Sequence, residues 1–321
     1  MAPSDGPGNL YLRTVVPFIP ERSTAIRDMR DALGITDGEV RLLTKFLGLD
    51  RVVTAEGLST LDMLLALGQQ VLADADRSAV RWLIHAHTLQ HLAPPSLRWL
   101  DTLRDKLQLD EASAFSMSHQ GCVVGLNVLK AAEGLLRSEP AGSTALVLVG
   151  EKALSPVVQH IPGTSVLGDA TAGLLVSLEG PGDAVVGVAH RTLGEYHQAM
   201  RMPEELQRRY RQDYVPTVAA VLREAVEQAG LDLGDVDLVL PHNVNRYSWT
   251  SIARLLGLGL ERVYLENVPK TGHCFCADPF MNLSTARAEG AVRPGDLAVM
   301  VSAGQGGTFT AAVIQTSAER D

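Results

Sequence analysis

The sequence is short of cysteine, of positive charge and of long apolar runs, and each shortage removes a class of protein. Three cysteines, Cys122, Cys274 and Cys276, in 321 residues are too few for a disulfide framework, which leaves reactive thiol or inert core residue for each. Lysine and arginine number 28 against 37 aspartates and glutamates, a formal net charge of −9. A phosphate-binding face needs clustered cations, so nucleic acid is not an expected partner. The opening "MAPSDGPGNLYLRTVVPF" lacks a basic start followed by an apolar run. No stretch reaches the roughly 18 apolar residues of a membrane span, so no membrane and a cytoplasmic location are expected.

What is present is a chain 46% hydrophobic and 20% charged, the balance of a protein with a large buried core. Its length suits two domains or one large α/β unit. Apolar residues at three and four spacing predict helices in "AIRDMRDAL", "LDMLLALGQQVLADA" and "VVGLNVLKAAEGLLRS". Short apolar runs predict strands in "VRWLIHAHT", "ASAFSMSHQ" and "TALVLVGEKAL", the last apolar on both faces as in a covered central strand. After "VLGDATAGLLVSLEG" comes a charged excursion, "EYHQAMRMPEELQRRYRQD", which reads as a cap or insertion outside the core. The pattern resumes with helix "VPTVAAVLREAVEQAGL", strand "DVDLVLPHN", helix "WTSIARLLGLG", a strand-like "RVYLENV", helix "PFMNLSTARAEGAV" and two closing strands, "GDLAVMVSAG" and "TFTAAVIQT".

The two halves can be laid over each other. Helix, short acidic turn and apolar strand with a polar tip occur as "LLALGQQVLADADRSAVRWLIHAHT" and again as "VLREAVEQAGLDLGDVDLVLPHNVN", which points to a duplicated α/β unit rather than a solenoid.

Cys122 sits where a strand ends and a helix begins, between Gly121 and Gly125. Free amide N–H groups and the positive end of the helix dipole would stabilise a thiolate there, which suits a nucleophile. A small buried hydrophobe fits the same segment. A cysteine nucleophile needs a base or hydrogen-bond partner from elsewhere in the fold. Candidates are His242 in "LPHNVN", at a strand tip, and His273 in "TGHCFCAD", although His85, His87 and His91 also lie at a strand tip. His273, Cys274 and Cys276 raise the thought of zinc, but the C-x-x-C pairs of structural zinc sites are missing, and no metal is expected.

Taken in order, these segments resemble the thiolase-fold condensing enzymes, most closely β-ketoacyl-acyl-carrier-protein synthase III and its type III polyketide synthase relatives. "HQGCVVGLNVLKAAEGLL…TALVLVGEKA" is similar to their nucleophile segment and "VLGDATAGLLVSLEG" to their Gly-Asp-Gly-Ala-rich segment. "PHNVNRYSW" is similar to the His-x-x-Asn stretch, and "RPGDLAVMVSAGQGGTFTAAVI" to the closing strand pair with its glycine-rich turn. The resemblance runs from about residue 75 to the end.

The resemblance implies an α/β, five-layered αβαβα fold of two pseudo-duplicated halves, residues 1–178 with the nucleophile and 179–321 with the histidines, packed as one unit and usually a homodimer. It makes Cys122 the acyl acceptor and His242 a catalytic histidine. At the third position these synthases carry asparagine, in Gly-Asn-x-Ser; here it is His273, as in the elongating ketosynthases and thiolases. The backbone N–H of Cys122 and one from the turn Gly304, Gln305, Gly306 and Gly307 would hold the oxyanion, with Asn245 and Asp278 as supports. Substrates would be acyl-CoA or acyl-carrier-protein thioesters, with no permanently bound cofactor. The implied reaction is decarboxylative Claisen condensation with a malonyl-type thioester, in polyketide-like specialised metabolism. The alternative is transfer of the Cys-bound acyl group to a hydroxyl or amine. A non-catalytic partner subunit would be expected to lose the cysteine or a histidine, and both are present. The segment "DGEVRLLTKFLGLDR" lacks the tryptophan that such synthases commonly use to hold coenzyme A. A carrier protein docked on Arg208, Arg209, Arg246 or Arg254 is therefore expected on at least one step.

Overall fold

The structure, a computed structural model, describes residues 9–94 and 96–317. Nine strands are hydrogen-bonded in one mixed sheet: β1 (Leu10–Phe18), β2 (Val80–Ala86), β3 (Ser113–Met117), β4 (Thr144–Glu151), β5 (Ala170–Ser177), β6 (Asp183–Thr192), β7 (Leu238–Leu240), β8 (Leu297–Gly304) and β9 (Thr308–Gln315). The helices of eight residues or more are α1 (Thr60–Val71), α2 (Trp99–Lys106), α3 (Val124–Leu136), α4 (Glu204–Gln228), α5 (Arg246–Leu256) and α6 (Asp278–Ala288).

Strand order across the sheet is β7-β8-β9-β6-β1-β5-β4-β2-β3. In the N-terminal half this is third, second, fourth, fifth, first, with the fifth strand antiparallel to its neighbours. The C-terminal half repeats the order from β6 to β9, again with its last strand antiparallel to both neighbours. Its third strand has shrunk to a single parallel bridge, Val239 to Val263. The expected strand at "RVYLENV" is thus corrected to a bridge, because the chain turns at once into the short helix Val268–Thr271. The shared topology is what a duplicated unit requires.

Helices and strands stack in five layers. α1 and α2 cover one side of the N-terminal strands, α4 and α5 cover the far side of the C-terminal strands, and α3 and α6 lie between the two sets. A helix in the middle layer has little wet surface, which is why α3 buries Val124, Leu126, Val128, Leu129, Ala132 and Leu136 around much of its circumference. β4 and β5 are buried at every position, as strands covered on both faces are.

Two further expectations are corrected. "AIRDMRDAL" forms a 3-10 turn, Ile26–Met29, followed by one helical turn ending at Gly34. The charged excursion is only partly an excursion: α4 starts at Glu204, not near Val215, and runs through Pro216. Proline is favoured in a first turn, which disguises a mid-helix position. Here Thr217 Oγ1 donates to the Asp213 carbonyl (2.7 Å) beside the proline. Among the described residues no helix is long and apolar enough to cross a membrane.

Candidate active site

Cys122 is buried in a 3-10 turn, Gly121–Val123, that opens directly into α3. Two glycines make this placement possible. Gly121 has φ +60, and a Cβ on it would stand 2.8 Å from the Gly304 Cα, so both conformation and space demand glycine. A Cβ on Gly125 would meet the Cys276 carbonyl oxygen at 2.4 Å; the first turn of α3 lies flush against the turn that follows His273. Ser302 Oγ donates to the Cys122 carbonyl (3.0 Å) and Thr308 Oγ1 to that of Gln120 (2.8 Å). The nucleophile segment of one half is therefore pinned to β8 and β9 of the other.

His273 completes the contact. Its Nε2 lies 3.3 Å from Cys122 Sγ, and its Nδ1–H donates to Asp278 Oδ2 at 2.5 Å. Asp278 is fully buried at the first residue of α6, where the helix terminus favours a carboxylate. It also accepts the backbone N–H groups of Asn243 (2.6 Å) and Cys274 (2.8 Å). Burial works against charge on His273, but Asp278 and Cys122 outweigh it and hold the imidazolium up to about 10. The turn that aims His273 at Asp278 passes through Phe275 with φ +53, a conformation that costs a bulky residue about 1–2 kcal/mol and is retained where neighbours over-determine it. The result is a thiol, imidazole and carboxylate in series, the arrangement that an activated nucleophile needs.

His242 stands across the site, its ring centroid 6.1 Å from that of His273. Burial, with help from the His273 charge, lowers it to about 3, so it is neutral at working pH. The Trp249 indole N–H donates to its carbonyl (2.9 Å), and its Nε2 is 2.6 Å from the Tyr214 hydroxyl. Tyr214, Tyr210 and Phe309 form an edge-to-face wall over the site. Burial keeps both phenols protonated, raising Tyr214 and Tyr210 alike well above the usual phenol range, which puts neither in play as an anion.

The other expected residues fall as follows. Gly304 abuts Gly121, while the Gln305 side chain points out to Met200 Sδ. Asn245 caps α5, accepting from the Ser248 N–H, and ties down the Thr164 carbonyl; the asparagine that supports Asp278 is its neighbour Asn243, locked in turn by Asn282. Cys274 and Cys276 are fully buried, Cys274 Sγ near the Thr271 carbonyl and Cys276 Sγ near that of Ala86. Among the described residues no group of three could hold a metal ion. Arg208 pairs with Glu204 (3.6 Å) and Arg209 with Asp213 (3.7 Å), whereas Arg246 and Arg254 lie exposed on α5.

Sequence reasoning missed Tyr214, Asn243, Ser302 and Glu151. Glu151 ends β4 fully buried, accepting the N–H groups of Thr88 (2.6 Å) and Leu89 (2.7 Å). Burial raises it to about 8. A charged residue closing a continuous apolar strand was the available signal.

With this geometry in hand, likeness to known proteins is informative. Residues 226–316 match the family model of the 3-oxoacyl-[acyl-carrier-protein] synthase III C-terminal region, the stretch that holds His242, His273, Asp278 and the Gly304–Gly307 turn. A β-ketoacyl-[acyl-carrier-protein] synthase III of Rhizorhabdus wittichii is 30% identical over 209 residues, 60% of this chain and 65% of that one. Another, from Nitratidesulfovibrio vulgaris, is 25% identical over 95% of this chain and 98% of its own. In three dimensions the acyltransferase ChlB3 superposes with a TM-score of 0.84 at 20% identity, covering 96% of this chain and 98% of that one. The chain is thus similar in sequence to the β-ketoacyl-acyl-carrier-protein synthases III and shares the thiolase-like α/β fold of their structures, a likeness that supports an acyltransferase-type enzyme in general.

Proposed function

We propose that the protein takes an acyl group from a thioester onto Cys122 and extends it by decarboxylative condensation with a malonyl-type thioester, in polyketide-like specialised metabolism. The observation that carries this reading is the convergence of Cys122, His273 and His242 in one buried site. In acylation, Cys122 Sγ attacks the thioester carbonyl, the carbon–sulfur bond of the donor breaks, and the released thiol takes the proton. The oxyanion formed on the way would lie between the Cys122 N–H and one from the Gly304–Gly307 turn, support worth about 3 kcal/mol for each donor. In condensation, the malonyl carbon–carbon bond breaks, carbon dioxide leaves, and the electron pair becomes an enolate. Its oxygen needs donors: His273 Nε2–H, charged and backed by Asp278, and His242, neutral. The carbanion then attacks the acyl carbonyl, and Cys122 departs as the leaving group.

One observation favours a second reading, transfer of the acyl group to a hydroxyl or amine. The Tyr214 hydroxyl on His242 Nε2 (2.6 Å) has the geometry of an alcohol presented to a general base.

We infer further that an acidic carrier protein delivers one thioester beside Arg246 and Arg254, and that β3, at the edge of the sheet, pairs with a second copy in a homodimer. Intact-mass measurement with a panel of acyl thioesters tests the first step, the adduct being absent from Cys122→Ala. Adding malonyl thioester, or alcohols and amines, separates the two second steps. Carbon dioxide with a chain-extended product selects condensation, and an ester or amide selects transfer. No adduct with any donor removes both.

A further inference from the structure

Resting on the condensation reading, we propose that Tyr214 is a positioning residue that caps His242 in the resting enzyme and has to be displaced before an extender can be decarboxylated. The Tyr214 hydroxyl and His242 Nε2 are 2.6 Å apart. Both groups are neutral, the phenol by burial and the imidazole by burial beside His273. A neutral imidazole nitrogen has either one N–H or one lone pair, so a nitrogen engaged by the phenol is not available to an enolate oxygen. Tyr214 is also placed as a plug. Tyr214 is half-buried, and its hydroxyl is bonded to fully buried His242. Its ring is held edge-on by Tyr210 and Phe309, centroids 6.0 and 6.1 Å away.

The helix carrying it is loosened at the right point. Pro216, two residues on, has no N–H to return to the preceding turn, so the turns of α4 that carry Tyr210 and Tyr214 have one backbone bond fewer to the rest of the helix. Capping has a chemical use. With Nε2 occupied, that nitrogen gives no support to a malonyl carbonyl beside His273, and an extender meeting an empty Cys122 is less readily wasted as carbon dioxide.

Tyr214→Phe keeps the ring and removes the hydroxyl. Three quantities are compared with wild type: carbon dioxide released from malonyl-CoA by enzyme without acyl donor, loading of Cys122 by intact mass, and carbethoxylation of His242 by diethyl pyrocarbonate, mapped by peptide mass. The expected result is donor-independent release roughly three- to tenfold faster, the factor one net hydrogen bond represents. Loading should be unchanged, and His242 should be modified faster by a similar factor. A merely structural role would not raise an activity. Release no faster than wild type together with unchanged His242 modification overturns the cap. If neither protein releases carbon dioxide even after acyl loading, the condensation reading fails instead. The cap is then decided by His242 modification alone, and equal rates overturn it.

Discussion

The tips of the two halves each hold a buried histidine, and only one of them faces the candidate site. In the N-terminal half, His85 on β2 donates from Nε2 to the Gly150 carbonyl (2.9 Å), stacks on His87 and meets the edge of Trp99. In the C-terminal half, His242 just beyond β7 faces His273 and Tyr214. Burial lowers both imidazoles to about 3. Protonation therefore does not distinguish the two rings; what surrounds them does. The same contrast holds for the carboxyl groups. Glu151 at the end of β4 is neutral, pushed up to about 8 by burial, while Asp278 faces a charged imidazole and is wrapped in four hydrogen-bond donors. The two tips differ in surroundings: His85 meets Trp99 and the Gly150 carbonyl, while His242 meets His273 and the Tyr214 ring.

The largest expected effect is at Asp278, the group without a working counterpart in the other half. Asp278→Asn should lower acylation and turnover by about 10²- to 10⁴-fold, since the carboxylate orients His273 and balances its charge. Thioester hydrolysis and intact-mass rates read this, and a loss under tenfold would mean that His273 is oriented by other groups.

Next comes a matched pair. His242→Ala should cut condensation by about 10²- to 10³-fold while leaving Cys122 loading intact. His85→Ala should leave turnover per folded molecule unchanged but cost about 2–4 kcal/mol of stability, as removal of a large buried side chain does. Turnover beside denaturant midpoints would show the two phenotypes exchanged if the assignment is inverted.

pH divides the halves more gently. Glu151 has its folded pKa raised from 4.5 to about 8, so its contribution is fully present below 4.5 and is lost as pH rises through about 8. His273, raised from 6.5 to about 10, contributes fully below 6.5 and loses that as pH rises through about 10. Thermal midpoints should accordingly decline from about pH 7 to 9. Glu151→Gln should flatten the lower part of that decline and leave the upper part; an unaltered profile would place the decline elsewhere. His242 and His85, both depressed, act in the opposite sense, with stability present above 6.5 and lost as pH falls through about 3.

A smaller effect tests the seam between the halves. Gly125→Ala pushes a methyl against the Cys276 carbonyl and should destabilise by about 1–3 kcal/mol, with acylation slowed because Cys122 moves with α3. The smallest effect is at the surface. Arg246→Glu with Arg254→Glu should raise the KM for carrier-bound thioester several-fold and leave that for a coenzyme A thioester unchanged.

Much of the framework was legible before any coordinates. The apolar run of β4, the helical stripe of α3 and the strand pair β8–β9 each follow from a periodicity that reports burial on one or both faces. The polar run after β6 misled because Pro216 resembles a helix start. "RVYLENV" misled because an apolar run records burial but not whether a neighbouring strand is in register. Cys122, His242 and His273 could be nominated from segment order, whereas the contact of Asn243 with Asp278 was not legible because spacing along a motif does not tell which side chain turns inward.

By itself the sequence determined the alternation of strands and helices, the doubling of the unit, and a cysteine set between two glycines at a helix start. Those are local properties, written in residue spacing and in the backbone freedom of Gly121. Only the tertiary structure decided what the cysteine faces. His273 lies 151 residues from Cys122, and Tyr214 reaches His242 across 28. Such meetings depend on how five layers stack and on which side chains the middle layer turns toward each other, and no periodicity along the chain encodes a contact between layers.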